Sequence, residues 1–235
     1  MNTQDLDIVY FVKEAYENEE LRYSLRSVDQ NLPHRSVWFY GMVPPCGICA
    51  DHVARFKQTG KNKWAKVRSM FEKLYLNDDL SENFILMNDD FFIMKPITEL
   101  KTYYGGSLQE RIDVIEKHFK GPTSYTERLR RTNEYLKANK LTAKNYELHI
   151  PMIVNKTKFQ EQLKRYTGLG GASRSFYGNT YKIGGTKCKD VKVYDLDDKF
   201  NHNTTFLSTT DESFRFGEVG NFIRSKFPYK SRFER

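Results

Sequence analysis

Apolar and polar positions fall into blocks along this chain, and the blocks follow two different periods. Leu6 to Val12 is a short, nearly unbroken apolar run rich in β-branched residues, which predicts a buried strand. After Glu19, residues Leu21, Leu25, Val28 and Leu32 recur at helical spacing and predict a helix with one apolar face. Glu19 and Glu20 at its start suit the positive end of the helix dipole. Asn31-Leu32-Pro33 ends it, because a proline disfavours helical backbone in the residue before it. Ser36 to Gly41 is apolar again and reads as a second strand. Strand, helix, strand is a βαβ unit, so the centre of the sheet is predicted to be parallel. A helix over residues 62–76 would turn Trp64, Val67, Phe71 and Leu74 inward. Phe84 to Met94 then carries two apolar runs with Asn88-Asp89-Asp90 between them.

Beyond Pro96 the strand–helix alternation stops. Leu108, Ile112, Ile115 and Phe119 share one helical face, with Gly121-Pro122 as a stop, and a more basic helix follows over 125–140. These helices read as an insertion at about 105–142 in a single domain spanning 1–235. Further on lie a short apolar stretch holding His149, a helix over 156–166 and a turn at Gly168–Gly171. Arg174 to Asn179 reads as a phosphate loop, although it lacks the glycine spacing of the standard fingerprints. Strands over 192–196 and 205–208 and a helix over 218–226 complete the chain. The pattern predicts an α/β fold: a mixed sheet flanked by helices, with a helical insertion.

Asn88, Asp89 and Asp90 interrupt the longest apolar segment. Adjacent carboxylates are costly in a core without a cation or a hydrogen-bond network. Placed at the C-terminal edge of a strand, where open α/β sheets bind ligands, they suit Mg2+ or Mn2+ on a nucleotide diphosphate. The competing reading is an acidic turn between two hairpin strands. Arg22 and Arg26 lie one turn apart beside the apolar face of the first helix. They are candidates either for phosphate contact or for surface ion pairs. His149 is a candidate general base. Cys46-x-x-Cys49 admits a redox reading, or with His52 and Cys188 a zinc reading, or a pair of reduced thiols.

With 39% hydrophobic and 29% charged residues, the 235-residue composition excludes a disordered chain. No apolar run reaches the length of a membrane span, and the acidic N-terminus does not resemble a signal peptide, so a cytoplasmic location is expected. The formal charge of +8 favours a polyanionic partner: a nucleotide, a phosphorylated glycan, an anionic membrane surface or nucleic acid.

Several segments in order resemble the Stealth proteins, sugar-phosphate transferases of capsular polysaccharide synthesis related to the enzyme that adds GlcNAc-1-phosphate to lysosomal enzymes. The similar segments are Leu6–Tyr10, Glu20–Val28, Phe84–Phe92 with its Asn-Asp-Asp, His149-Ile150-Pro151, Phe206–Asp211 and Phe227–Glu234. The resemblance implies a GT-A-like, Rossmann-like fold and a nucleotide-sugar donor (a UDP-sugar) bound with Mg2+ or Mn2+. It implies that Asp7, Asn88, Asp89 and Asp90 lie at the nucleotide and metal, that His149 is catalytic and that Arg174 holds phosphate. The chain departs from the family pattern in lacking a Gly-Asp-Pro-type loop after the first strand. It also has Lys63–Leu74 where the family has an Asn-Ser-x-x-Ile-Glu-type stretch. Transfer of a sugar-1-phosphate and transfer of a sugar to a glycan hydroxyl therefore both stay open. Two rivals remain beside them: glycosylation of DNA bases, favoured by the charge, and a basic binding module without catalysis.

Overall fold

The computed structural model describes residues 1–12, 17–41, 47–57, 59–60, 63–165 and 173–235. Cys46, the Trp64 side chain and the Gly168–Gly171 turn lie outside the described residues. In chain order the elements begin with β1 (Asp7–Val12), α1 (Glu19–Asn31), β2 (Val37–Gly41), β3 (His52–Arg55), α2 (Lys63–Leu74), β4 (Asn83–Met87) and β5 (Phe91–Ile93). There follow β6 (Tyr103–Tyr104), α3 (Leu108–Phe119), α4 (Ser124–Ala138), β7 (Met152–Asn155), α5 (Lys156–Arg165) and α6 (Ser173–Thr180). The last are β8 (Thr186–Lys187), β9 (Lys192–Val193), β10 (Phe206–Thr209), α7 (Asp211–Phe216) and α8 (Glu218–Lys226).

Contacts divide the chain into two compact units. The first comprises Met1–Leu100, His149–Val154 and Val191–Arg235. The second comprises Lys101–Leu148 and Asn155–Asp190, so the expected insertion is part of a larger body that also takes in α5 and α6.

The main sheet has the order β3-β2-β1-β4-β7, with β1 parallel to both β2 and β4 and β2 parallel to β3. The parallel centre predicted from the βαβ reading is present, and the fold is mixed α/β. Strands β1, β2 and β4 are almost wholly buried, which is why their sequences read as continuous apolar runs. A second, three-stranded sheet has the order β5-β10-β9.

Helix α1 joins the two sheets of the first unit. Its expected face, Leu21, Leu25, Val28 and Leu32, is buried. Beside it runs a buried polar stripe, Ser24, Ser27 and Asn31, and this stripe satisfies the backbone of β5. Ser24 Oγ donates to Phe91 O (2.6 Å), Ile93 N donates to Ser27 Oγ (3.0 Å), and Asn31 Nδ2 donates to Ile93 O (2.7 Å). Strand β5 pairs on its other side with β10, antiparallel. Each buried backbone group of this short strand therefore finds a partner without a second strand, as burial requires.

In the second unit, Leu108, Ile112 and Ile115 of α3 pack on Leu129 and Leu136 of α4 and on Phe176 of α6. Phe119, expected on the same face, is 64% exposed; it is the last residue of the helix, directly before the left-handed cap at Lys120. Arg174–Asn179 is helical, not a loop. Its turn-forming residues are used as tertiary anchors: Tyr146 N donates to Ser175 Oγ (2.9 Å), and Asn179 Nδ2 donates to Lys144 O (2.8 Å). Gly178 is needed there, since a Cβ would come within 2.5 Å of the Tyr146 ring.

Candidate functional site

Strand β4 lies between β1 and β7, and its C-terminal end runs straight into a turn in which Phe91 N donates to Asn88 O (3.2 Å). Asp89 and Asp90 occupy the middle of that turn. Strands β4 and β5 belong to different sheets, so the turn is not the hairpin of the competing reading.

Each carboxylate is held by a partner far away in sequence. Asn18 caps α1, its Oδ1 accepting from Leu21 N (2.9 Å), while its Nδ2 donates to Asp89 Oδ2 (2.8 Å). The helix N-terminus and the acidic turn are thus tied through one amide. Asp90 Oδ2 accepts from Lys192 Nζ (2.7 Å) and from Ser208 Oγ (3.1 Å), donors supplied by β9 and β10. Lys192 and Asp90 are each only 14% exposed, so this ion pair is poorly screened by water.

A small pocket opens beside the turn, lined among others by Asn18, Glu20, Asp89, Asp211, Phe214 and Arg215. Glu20 Oε1 accepts from Thr209 Oγ1 (2.6 Å). Burial, with the neighbouring Asp211, Asp90 and Asp89 carboxylates adding to it, pushes the Glu20 carboxyl up to about 8; the Thr209 bond opposes the shift. Burial is the larger cause, so this carboxyl holds its proton near neutrality.

His149 is half-buried and held edge-on between the Phe91 ring (centroids 6.2 Å apart) and the Tyr194 ring (6.4 Å). Phe91 is the residue after Asp90, so the imidazole packs against the side chain that follows the acidic turn. Of the expected residues, Asn88, Asp89 and Asp90 thus share one turn, and His149 packs against the Phe91 ring that follows it.

Other expected residues lie elsewhere. Asp7 is at the opposite, N-terminal edge of the sheet. It is paired in register with Phe84, three residues before the end of β4, or about 10 Å at the rise of a strand. It is fully buried and accepts from Arg35 Nε (2.8 Å), from Arg35 Nη2 (2.6 Å) and from Ser81 N (2.8 Å). Burial raises its carboxyl, but the Arg35 and Ser81 bonds outweigh it, and the group titrates below the usual range. Asp7 is a structural anion that ties the start of β1 to the loops around Arg35 and Ser81. Arg22 and Arg26 likewise do not face the acidic turn: both grip Glu234 near the C-terminus, at 3.2 Å and 2.7 Å. Arg174 belongs to the second unit, where its Nη1 donates to Leu148 O (3.0 Å).

Sequence reasoning missed Asn18, Glu20, Lys192, Ser208, Thr209 and Asp211. A partial signal existed for Asn18, an N-cap residue directly before Glu19-Glu20, and the family-like segments Glu20–Val28 and Phe206–Asp211 contain Glu20, Ser208, Thr209 and Asp211 without marking their roles. For the cysteines, Cys49 lies in the first unit and Cys188 in the second, both with half-buried thiols. His52 stacks on Trp38 at 4.0 Å between centroids.

Among the described residues no three His, Cys, Asp or Glu side chains converge as a metal-ligand set. The acidic turn nevertheless fits a hard cation of limited demand. Mg2+ is commonly held by one or two carboxylates, with substrate phosphates and water filling the remaining positions. Asp89 and Asp90 match that donor set.

No family model and no curated protein matches the chain. Among solved structures, the apo form of the glycosyltransferase GlyE from Streptococcus pneumoniae TIGR4 is similar, with 9% sequence identity and a TM-score of 0.41. The match covers 97% of this chain and 65% of that one, so the chain spans less than two thirds of that neighbour's length. No helix among the described residues is long and apolar enough to cross a membrane.

Proposed function

We propose that this chain is a transferase acting on a nucleotide-activated sugar through a GT-A-like site at the C-terminal edge of β4, and that it moves a sugar-1-phosphate to a glycan hydroxyl. The observation that carries the reading is the acidic turn: Asp89 and Asp90 held at that edge beside a half-buried imidazole. Asp89 and Asp90 would hold Mg2+ or Mn2+, which neutralises charge on a diphosphate when bound. Asn18 fixes the Asp89 carboxylate, and Lys192 and Ser208 fix that of Asp90, so neither has to be ordered when the donor arrives. In the transfer, the acceptor oxygen bonds to the phosphorus that carries the sugar. The P–O bond to the inner phosphate breaks, the nucleoside monophosphate leaves, and His149 takes the acceptor proton.

The test is the identity of the released nucleotide when the protein meets nucleotide sugars, Mg2+ or Mn2+, and glycan acceptors. Nucleoside monophosphate together with acceptor modification is expected. Nucleoside diphosphate would instead mean attack at the anomeric carbon, and so plain glycosyl transfer. Asp89→Asn and His149→Ala should each lower turnover by roughly a hundredfold or more. Donor binding without turnover across glycan and DNA acceptors, unchanged in both variants, would reduce the site to a binding module.

A further inference from the structure

The positive charge of this chain is not evenly divided. Lys101–Leu148 and Asn155–Asp190, the second unit, carry 18 Lys and Arg against 8 Asp and Glu, a formal charge of +10. The remainder of the chain carries 20 against 22, a charge of −2. The whole excess of the +8 chain therefore resides in one unit.

Within that unit, arginines engage the acids and exposed lysines carry the excess. Arg130 bridges Glu116 (2.6 Å) and Glu127, and Arg111 pairs with Asp190 at 3.9 Å. Burial pulls the Arg128 guanidinium down to about 10, while the Glu147 carboxylate opposes that shift. By contrast Lys158, Lys164, Arg165, Lys182, Lys187 and Lys189 are all exposed. Of these, Lys158 and Arg165 stand beside Tyr181. Helix α5 buries Phe159 and Gln162 and turns Lys158 and Arg165 outward. Lys158 Nζ stands 5.5 Å from the centre of the Tyr181 ring, and Arg165 is near enough to bear on the Tyr181 hydroxyl. Tyr181 itself packs at a tilt against Tyr177 of α6, with ring centroids 5.3 Å apart, and Lys182 follows it in the chain. The Tyr181 hydroxyl donates to Lys158 O (2.7 Å) and contacts Glu161 Oε2 (3.1 Å), which fixes the ring, and an aromatic ring flanked by exposed cations suits a ligand that offers a sugar face and repeated negative charge.

We propose that the second unit docks a polyanionic acceptor, a glycan with phosphodiester groups, on the outer face of α5 and the Tyr181–Lys189 segment. The choice of a phosphodiester glycan rests on the transfer reading above. Each transfer of a sugar-1-phosphate leaves one anionic phosphodiester in the product, so a growing product is itself a polyanion.

The experiment measures equilibrium binding of the full chain, at several salt concentrations, to three probes: a phosphodiester-linked hexose oligomer, neutral dextran and duplex DNA. The triple variant Lys158→Gln/Arg165→Gln/Lys182→Gln is compared with Lys158→Arg/Arg165→Lys/Lys182→Arg. At low salt the wild type should prefer the charged oligomer to dextran by roughly tenfold or more, a preference that shrinks as salt rises. The glutamine variant should lose most of that preference, with unchanged circular dichroism, and the charge-preserving variant should keep it. Equal binding of oligomer and dextran, or full retention by the glutamine variant, would overturn the proposal. DNA bound more tightly than the oligomer would overturn the glycan assignment. Nucleotide release by the same wild-type protein with a short neutral acceptor tests the transfer reading separately, since it does not depend on the basic surface.

Discussion

Glu20 is the residue on which the electrostatics of the site can be read directly. Its carboxyl is raised from about 4.5 to about 8 by burial and by the neighbouring carboxylates. Between those values the folded protein keeps a proton that the unfolded chain has released. This contribution to stability is therefore present below about 4.5 and is lost as the pH rises toward 8. Glu20→Gln removes the titration while preserving the bond from Thr209. The thermal midpoints of wild type and variant should diverge as the pH rises, the variant gaining about 1–2 kcal/mol by the alkaline end, a figure discounted because the group is partly wetted. Parallel pH curves would show that Glu20 is not crowded. Added Mg2+ should flatten the wild-type curve, since a cation at Asp89 and Asp90 lets Glu20 ionise.

At the scale of an element, α1 does three jobs with three stripes. Its apolar face fills the core, its serines and Asn31 satisfy β5, and Arg22 and Arg26 clasp the C-terminal segment. Glu234, whose side chain is fully buried, accepts from Arg26 Nε (2.7 Å) and Nη2 (2.8 Å) and from Ser231 N (3.0 Å). Burial raises its carboxyl, but the Arg26 and Ser231 bonds overcome that and bring it down to about 2. Arg26→Ala leaves a buried carboxylate with Arg22 as its remaining side-chain cation. It should destabilise the fold by about 2–3 kcal/mol, somewhat less than full loss of a buried pair. Because the folded carboxyl is depressed, its contribution is present above about 4.5 and is lost as the pH falls toward 2. The acid limb of the wild-type stability curve should therefore be steeper than that of the variant. The apolar stripe of α1 was legible in the sequence, as were β1, β2, α2 and α8, because period and burial coincide there. The role of Arg26 was not, since its partner lies 208 residues away. The same holds for the site. Asp89 and Asp90 stand out as charges inside an apolar run. Lys192 and Ser208 reach Asp90, and Thr209 reaches Glu20, only through the pairing of β10 with β5 and β9, a long-range register that local spacing does not encode. Arg174–Asn179 misled for the complementary reason: Ser, Gly and Asn resemble a loop locally, but Ser175 and Asn179 spend their side chains on tertiary hydrogen bonds and Gly178 makes room for the Tyr146 ring.

At the scale of the whole molecule, the division of charge separates two electrostatic tasks. The site at β4 works with paired, poorly screened charges: Asp90 and Lys192 lie 2.7 Å apart with little exposure. Salt acts weakly on such a pair. The second unit works with exposed cations on flexible stems, whose attraction for an anion fades once the screening length falls from about 10 Å to about 3 Å, between roughly 0.1 M and 1 M salt. Steady-state kinetics should therefore split. With a phosphodiester-bearing acceptor, KM should rise steeply with ionic strength while kcat stays nearly constant. With a neutral acceptor of the same length, neither should move much. The steep dependence should be lost in the Lys158→Gln/Arg165→Gln/Lys182→Gln variant, because its source lies in that surface and not in the acidic turn. If kcat falls with salt for both acceptors, the sensitive charges belong to the Asp89–Asp90 turn, and the basic unit has no part in acceptor capture.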